Sequence, residues 1–581
     1  MNVKFDNFLK KRYNKIIKGE REQIMKKLTS EATKLLQYAF EHVDSVCNGL
    51  FNISLFSSRQ VLGQKTVKEI TPFVEELVQA KVFKEVPGLW RAPRYQIVQK
   101  HAEKFLKDLE DEKFSQEYRE VLEDEIKKYK RFVITTAVMG KEVNEPFLKS
   151  VKNYAARNNS LLLVLPCEDV ASRGKEANAI ELSPDLEDFG VVFKDTYLNN
   201  NLCLCAIKIS AKQINPLSGL DRLTTARDAS IMVASPKVFL KYIPNMHHDV
   251  PPALMTTGAI TTNNYDTDRY MSKRTSTLAE NDHTYGAVVV EVEDDRVFHF
   301  RHVQASEDGS FIDLGVEYLP NGETREVEGT VLVMGDSHVG YHDLELHERV
   351  MELAEKTNVT TVVLHDIFHG SSISHHDWKK SVTRARQAQE GKLGLERECV
   401  AVKNYLEDIE SRGYNVEIVD SNHDDFLMRY LEEGRYVSDP QNHKFALKLA
   451  VPAIDGINPL KYAIESILGF VTDKVRWMER DRSYKFYGVE VGLHGSVGAN
   501  GAKGSANTFN KGIGNCVTAH THSAAILRNT FCVGTVGKMD MGYNRGLSSW
   551  TRTCCLIYSN GTKQLVNFIS DNKGDYTYRI S

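Results

Sequence analysis

Five polar clusters between Gly335 and His522 contain the residue types that hold divalent metals. They are Asp336-Ser337-His338, His365-Asp366-Ile367-Phe368-His369, Asp420-Ser421-Asn422-His423-Asp424, the single His494, and His520-Thr521-His522. Asp, His and Asn offer oxygen and nitrogen donors suited to Mn2+, Fe2+ or Zn2+, and no cysteine stands among them. A carboxylate can bridge two ions, and two ions about 3.5–4 Å apart can clamp both the attacking and the leaving oxygen of an in-line displacement. Binding to such ions also lowers the pKa of water towards about 7, which makes a nucleophile available at neutral pH. One Asp-x-His or His-x-His alone would say little. Five clusters in one order, each at the end of an apolar run, say much more.

Those apolar runs are the elements that must position the clusters. Val331–Met334, Thr360–Leu364 and Val416–Val419 read as buried strands. Leu344–Lys356 and roughly Lys379–Arg412 read as the helices between them. The order is β-α-β-α-β, and in open α/β sheets ligands bind beyond the carboxyl ends of the strands. Two further strand ends precede His494 (Val489–Leu493) and His520 (Cys516–Ala519).

The set resembles the calcineurin-like metallophosphoesterase superfamily, whose pattern is Asp-x-His, Gly-Asp, Gly-Asn-His-Asp/Glu, His and Gly-His-x-His, and the resemblance covers about 330–581. It implies a catalytic β-sandwich flanked by helices. It also implies two divalent ions, Mn2+ first, with Fe2+, Zn2+ or Mg2+ as alternatives. By position, one ion would be held by Asp336, His338, Asp366 and His522, and the other by Asp366, Asn422, His494 and His520. His423 would stabilise the transition state or protonate the leaving oxygen, and Asp424 would orient it. Three family glycines are replaced, by His365, Ser421 and Ala519; of these His365 is read as an exposed side chain rather than a group behind the ligands. His342, His375 and His376 are read as non-ligands. Asp366-Ile367-Phe368-His369 is similar to the Asp-Leu-Phe-His of the SbcD-type double-strand-break nucleases, which makes His369 a further catalytic candidate and DNA the expected substrate. No segment for an SbcD-type ATPase partner or a capping domain is evident after His522. A large N-terminal region on such a domain resembles tailed-bacteriophage DNA-transfer or DNA-degradation proteins. A phosphatase, a cyclic-nucleotide phosphodiesterase, or a binding scaffold with a vestigial site are the competing readings.

The rest of the chain bounds these expectations. At 581 residues it is too long for one ordinary core. With 41% hydrophobic and 26% charged residues it has the composition of a soluble globular protein. No apolar run is long enough to suggest a membrane span, and no secretory leader is apparent, so a cytoplasmic setting (host cytoplasm for a viral protein) is expected. The nine cysteines are scattered and show no zinc-like spacing, which predicts free thiols. The net charge of −4 does not advertise nucleic-acid binding, but Met1–Ser30 is rich in Lys and Arg. Three parts are expected: a helical region at 1–130, compatible with a winged-helix-like module; a mixed α/β part at 131–329; and the catalytic part at 330–581. Gly140-Lys141 lacks the rest of a phosphate-loop pattern and reads as a plain turn. The glycine-rich loop Gly495–Gly514 and the aromatic and Arg residues Tyr543, Arg545, Trp550 and Arg552 are candidate phosphate or strand contacts. No internal repeat is apparent, and a homo-oligomer is left open.

Overall fold

The computed structural model describes residues 28–43, 50–86, 93–98, 101, 117–169, 182–246, 250–265, 273–542, 544–570 and 574–580. The basic stretch at the N-terminus and Tyr543 lie outside them. The chain is mixed α/β, as expected, and divides into two compact units, residues 1–124 with 176–181, and residues 125–175 with 182–581.

The first unit runs helix Ser30–Glu41, strand β1 (Leu50–Phe51), helices Ile53–Ser58 and Val67–Gln79, then β2 (Phe83–Val86) and β3 (Arg94–Ile97). The strands form an antiparallel sheet in the order β1-β3-β2. Apolar residues at helical spacing bury one face of each longer helix, Leu35, Leu36 and Ala39 from one and Ile70, Val74 and Leu77 from the other. They close over Phe51, Phe56, Phe83 and Tyr95. The solvent side of Val67–Gln79 shows Glu69 and Glu75 against Lys68.

The second unit opens with β4 (Arg131–Val138), helix Glu145–Arg157, β5 (Ser160–Cys167) and β6 (Gly190–Val191). It continues through β7 (Thr196–Asn199), β8 (Leu202–Cys205), helix Asp221–Arg227, β9 (Ser230–Val233), β10 (Phe239–Tyr242) and β11 (Ala253–Thr256). The hairpin β12 (Gly286–Val292) and β13 (Phe298–Gln304) follows, paired from Val292 with Phe298 to Gly286 with Gln304. A small antiparallel sheet, β14 (Phe311–Asp313), β15 (Val316–Tyr318) and β16 (Thr324–Glu326), leads into the segment that carries the clusters.

That segment contains β17 (Thr330–Val333), helix Leu344–Lys356, β18 (Val359–Leu364), helices Ser381–Gln389 and Leu395–Ser411, and β19 (Asn415–Ile418). After further helices come β20 (Val475–Trp477), β21 (Lys485–Phe486), β22 (Val489–Glu490), helix Ala506–Gly512, β23 (Cys516–Thr518), β24 (Ala525–Leu527), β25 (Thr530–Cys532), β26 (Thr553–Ile557) and β27 (Lys563–Asn567). The single helix expected over 379–412 is two, because Gly391 takes a positive φ of 69° between them. The glycine-rich loop is likewise partly ordered by helix Ala506–Gly512.

Three sheets matter for the site. One has the order β20-β19-β18-β17-β26-β27, with β17 to β20 parallel and β26 and β27 antiparallel. A second has the order β13-β12-β4-β5-β6. The third has ten strands, β21-β22-β23-β25-β24-β10-β11-β9-β8-β7. Its middle pair joins Phe239 to Leu527 and Leu240 to Ile526. Backbone pairing carries this sheet across residue 330, and the stretches on either side of it share a compact unit.

Candidate metal centre

All five clusters meet at one place. Asp336 and His338 follow the end of β17, Asp366 follows β18, and Asn422 and His423 follow β19. His494 follows β22 of the other sheet, and His520 and His522 follow β23. Parallel pairing of β17, β18 and β19, and of β22 and β23, sets these ends side by side. An isolated bridge between Asp336 and Thr535 ties the two sheets together at that point.

The backbone turns sharply at four of these candidate donors. His338 (φ 47°), Asp366 (φ 43°), His520 (φ 71°) and His522 (φ 54°) all sit in the left-handed region. Non-glycine residues reach it rarely and at a cost of about 1–3 kcal/mol, and such positions concentrate at functional sites. Gly335 and Gly534 allow the close passage of the two chains. A Cβ on Gly335 would lie 2.8 Å from the Gly534 carbonyl, and one on Gly534 would lie 2.0 Å from the Thr551 oxygen.

The donor atoms form two groups that share one carboxylate. Asp336, His338, Asp366 and His522 make the first, and Asp366, His494 and His520 the second, with the ligand atoms of each within 4.8 Å of one another. His522 Nε2 lies 3.0 Å from Asp336 Oδ2 and 3.0 Å from His338 Nε2. His494 Nε2 lies 3.3 Å from Asp366 Oδ2 and 2.9 Å from Asn422 Oδ1, which brings Asn422 to the second group. Asp336, His338, Asp366, His494 and His522 are all buried.

This arrangement fits divalent ions. Both carboxylate oxygens of Asp336 are buried yet accept no well-directed hydrogen bond, a costly state for an anion unless a cation compensates it. Imidazole nitrogens that face one another at 3.0 Å need a cation or a shared proton between them. The charges point the same way. Burial opposes ionisation of Asp366, but His494 and His423 outweigh it and hold the carboxyl well below its usual range. Burial likewise opposes charging of His494, but Asp366 and Asp336 raise it to about 9. Burial, aided by His423, keeps His338 neutral, the form that ligates. Two carboxylates, four imidazoles and a carboxamide supply only oxygen and nitrogen, as Mn2+, Fe2+, Zn2+ or Mg2+ accept.

The three residues expected to act beside the metals are placed differently. His423 and His369 stand against His338, their rings 4.6 and 5.3 Å from its ring. His423 donates from Nδ1 to the His369 carbonyl (2.8 Å) and stacks on Phe426 at 4.5 Å. His369 stacks on Tyr341 at 4.2 Å, and Lys392 lies over the other aromatic partner's ring, 4.5 Å from the Tyr341 centroid. Asp424 does not orient His423. Its Oδ2 accepts the Ser421 N–H at 3.2 Å, and the His369 carbonyl holds the His423 ring instead.

His365 also corrects its expectation. It is fully buried, with Nδ1 3.5 Å from His494 Nδ1, and burial followed by the charge of His494 lowers it to about 3. Sequence reasoning missed Glu398 altogether. Half-buried on helix Leu395–Ser411, it accepts from Ser371 N (3.0 Å), Ser372 N (3.2 Å) and Ser372 Oγ (2.6 Å), and so pins the loop that follows His369. Nothing in the sequence separates that Glu from any other acid in a first helical turn. Trp550 is half-buried, its ring 4.2 Å from that of His522, and Arg552 lies over Tyr576. Lys141 meets Asn264 O and Asp169, and Gly140 takes the positive φ of a turn. His347, Glu348 and Asp408 form another acidic and imidazole group, but Arg412 pairs with both acids. The described cysteines are free and buried. No helix among the described residues is long and apolar enough to cross a membrane.

The chain is similar to Protein A1 of Escherichia phage T5, with 29% identity over 468 residues, 76% of this chain and 83% of that one. No family model matches the chain. No solved structure matches it.

Proposed function

We propose that this protein is a two-metal-dependent phosphodiesterase that hydrolyses DNA, with its catalytic sandwich built from the strands that follow residue 330. The observation that carries the reading is the pair of donor groups sharing Asp366. Ions bound there would supply the charge that offsets a phosphodiester and activate the water that attacks it. The chain's own residues do the rest. Asp366 with Asp336, His338 and His522 would hold one ion, and Asp366 with Asn422, His494 and His520 the other. Because Nδ1 of His423 is committed to the His369 carbonyl, its Nε2 is the atom left to receive or give a proton at the leaving oxygen. His369 and Tyr341 flank that position.

DNA is favoured over small phosphomonoesters by the SbcD-like Asp366-Ile367-Phe368-His369 and by the similarity to a phage protein, which suits phage-directed DNA degradation in a host cytoplasm. The solvent face of helix Val67–Gln79 in the first unit is more acidic than basic, which does not favour phosphate contact there. Plasmid, linear duplex, single-stranded DNA and a chromogenic phosphomonoester, each with Mn2+, Mg2+ or Zn2+, test the reading. DNA cleavage should far exceed phosphomonoesterase activity and vanish in Asp366→Ala, which should also lose bound Mn2+ from a value near two per chain. Phosphomonoester hydrolysis with every DNA form left intact would move the assignment to a phosphatase.

A further inference from the structure

The second unit contains the same construction twice. Asn144 caps helix Glu145–Arg157 through Phe147 N, and Asp343 caps helix Leu344–Lys356 through Leu346 N. Both helices have 13 residues. Each ends at a residue of positive φ, Asn159 (48°) or Asn358 (52°), immediately before the next strand, β5 or β18. The sheets match as well. β4 and β5 are parallel and flanked by the antiparallel hairpin β12–β13, as β17 and β18 are flanked by β26–β27. The ten-stranded sheet reads β7-β8-β9-β11-β10 from one edge and β21-β22-β23-β25-β24 from the other, with β8, β9 and β11 parallel as β22, β23 and β25 are. Individual backbone bonds coincide. Asn144 N donates to Ile260 O (2.8 Å) as Asp343 N does to Val536 O (3.0 Å). Thr136 exchanges bonds with Gly258 O and Ile260 N as Asp336 does with Gly534 O and Val536 N.

These bonds fix which residues of the first copy stand where the second has ligands. Met139 N donates to Cys167 O (2.9 Å) as His338 N does to Asp366 O (2.7 Å), so Met139 stands for His338 and Cys167 for Asp366. Thr136 stands for Asp336 by the bonds above. Thr256 pairs with Val233 as Cys532 pairs with Thr518, and each precedes its glycine, Gly258 or Gly534, by the same step. Counting on from those strand ends, Ser235 stands for His520; Pro236 O accepts Thr284 N as His522 O accepts Thr551 N, so Lys237 follows directly on the place of His522. Lys237 is 0% exposed, a rare state for lysine. Its ammonium donates to Gln213 O (2.8 Å) and lies 3.7 Å from Asp282, in the neighbourhood of the Cys167 thiol, which burial keeps protonated. Asp169, just past Cys167, lies between Lys212 (3.0 Å) and Lys141 (3.5 Å). Asp282 also meets Arg528 of the second copy at 2.8 Å, beside the β10–β24 seam.

We infer that residues 131–581 are two copies of one two-sheet unit joined through β10 and β24, and that the first copy carries a metal-free counterpart of the centre in which Lys237 supplies the cation. The inference rests on the metal-centre reading of the second copy. Lysine is a compact point charge on a flexible stem, and a buried one must be paired to be tolerated. At the assigned positions the substitutions replace Asp336, His338, Asp366 and His520 by a hydroxyl, a thioether, a thiol and a second hydroxyl, so no carboxylate or imidazole remains at those four places.

The full-length chain tests this through Mn2+ and Co2+ uptake and thermal melting. Wild type should bind two ions, not four. Lys237→Met should melt several degrees lower, because Asp282 loses a buried partner, yet still bind two ions and gain the same metal-dependent rise in Tm. Cys167→Asp/Lys237→His, which restores two ligand types, should take up a further Co2+ with a visible absorption band. Four ions in wild type, or Lys237→Met melting like wild type, would overturn the inference. Wild type that binds no metal, with Lys237→Met still destabilised, would sink the metal-centre reading instead.

Discussion

At the scale of single residues, the clustering of Asp, His and Asn at strand ends was legible before any fold was known, because these donor types recur in one order along the sequence. The residues around them were less so. Asp424 was expected to steer His423 from its place in the motif, but the ring is held by a backbone carbonyl, and sequence carries no mark of which carbonyl a folded loop will present. His365 was read as exposed because it replaces a glycine, yet a buried imidazole fits behind His494. His423→Ala should therefore keep both ions and the fold while losing about 10²–10⁴-fold in turnover, the usual worth of a positioned acid or base. Metal content and kcat measured on the same preparation decide it, and near wild-type turnover would remove His423 from the chemistry. Asp424→Asn, by contrast, should act through the Ser421 loop and lower stability more than the chemical step.

Elements come next. After Gly329 the strands that carry the clusters were readable from periodicity, as was helix Leu344–Lys356, which begins and ends where the pattern places it; helices Asp425–Glu432 and His443–Ile454 were not. What periodicity cannot convey is the left-handed backbone at His338, Asp366, His520 and His522, since that strain is sustained by neighbours distant in sequence. One such neighbour is Gly534, whose carbonyl accepts the Asp336 N–H and whose Cα passes against Thr551. Gly534→Ala would push a methyl to within 2.0 Å of the Thr551 oxygen. Overpacking of this kind typically costs about 1–3 kcal/mol. The variant should melt earlier and bind Mn2+ more weakly, because the shift falls on the strand end that carries Asp336. Unchanged melting and affinity would show that the two strands can separate freely there.

For the molecule as a whole, the two-sheet repeat escaped sequence reading because the copies share few residues, and the register of sheets is invisible in one dimension. Their junction includes a buried charge network. Arg301 is bidentate to Asp313 (2.7 and 3.0 Å) and donates to Glu291 (2.9 Å), while Gln564 and Tyr154 also bond Asp313. Burial disfavours the Asp313 carboxylate, but Arg301 outweighs it and its pKa lies below the ordinary value of 3.8. A depressed carboxyl stabilises the fold above its unfolded pKa, and that contribution is lost as pH falls through the folded value. Denaturant unfolding should thus weaken below about pH 4 in wild type. Asp313→Asn should be about 3–5 kcal/mol less stable at pH 7, as when one member of a buried pair is removed, with the gap narrowing in acid. A constant gap from pH 7 to 3 would show that Asp313 is not ionised in the native state.

The reversal of strand direction at β10 and β24 has one more consequence. Because the neighbouring strands run opposite ways, the carboxyl ends of β9 and β23 open on opposite edges of the shared sheet. The chain is two-sided in build and carries its cluster of buried Asp and His donors on one side. Comparing its edges separates what a scaffold demands (the helix caps, the left-handed Asn, the glycine at the chain crossing) from what a reaction demands, within a single polypeptide and without an outside reference.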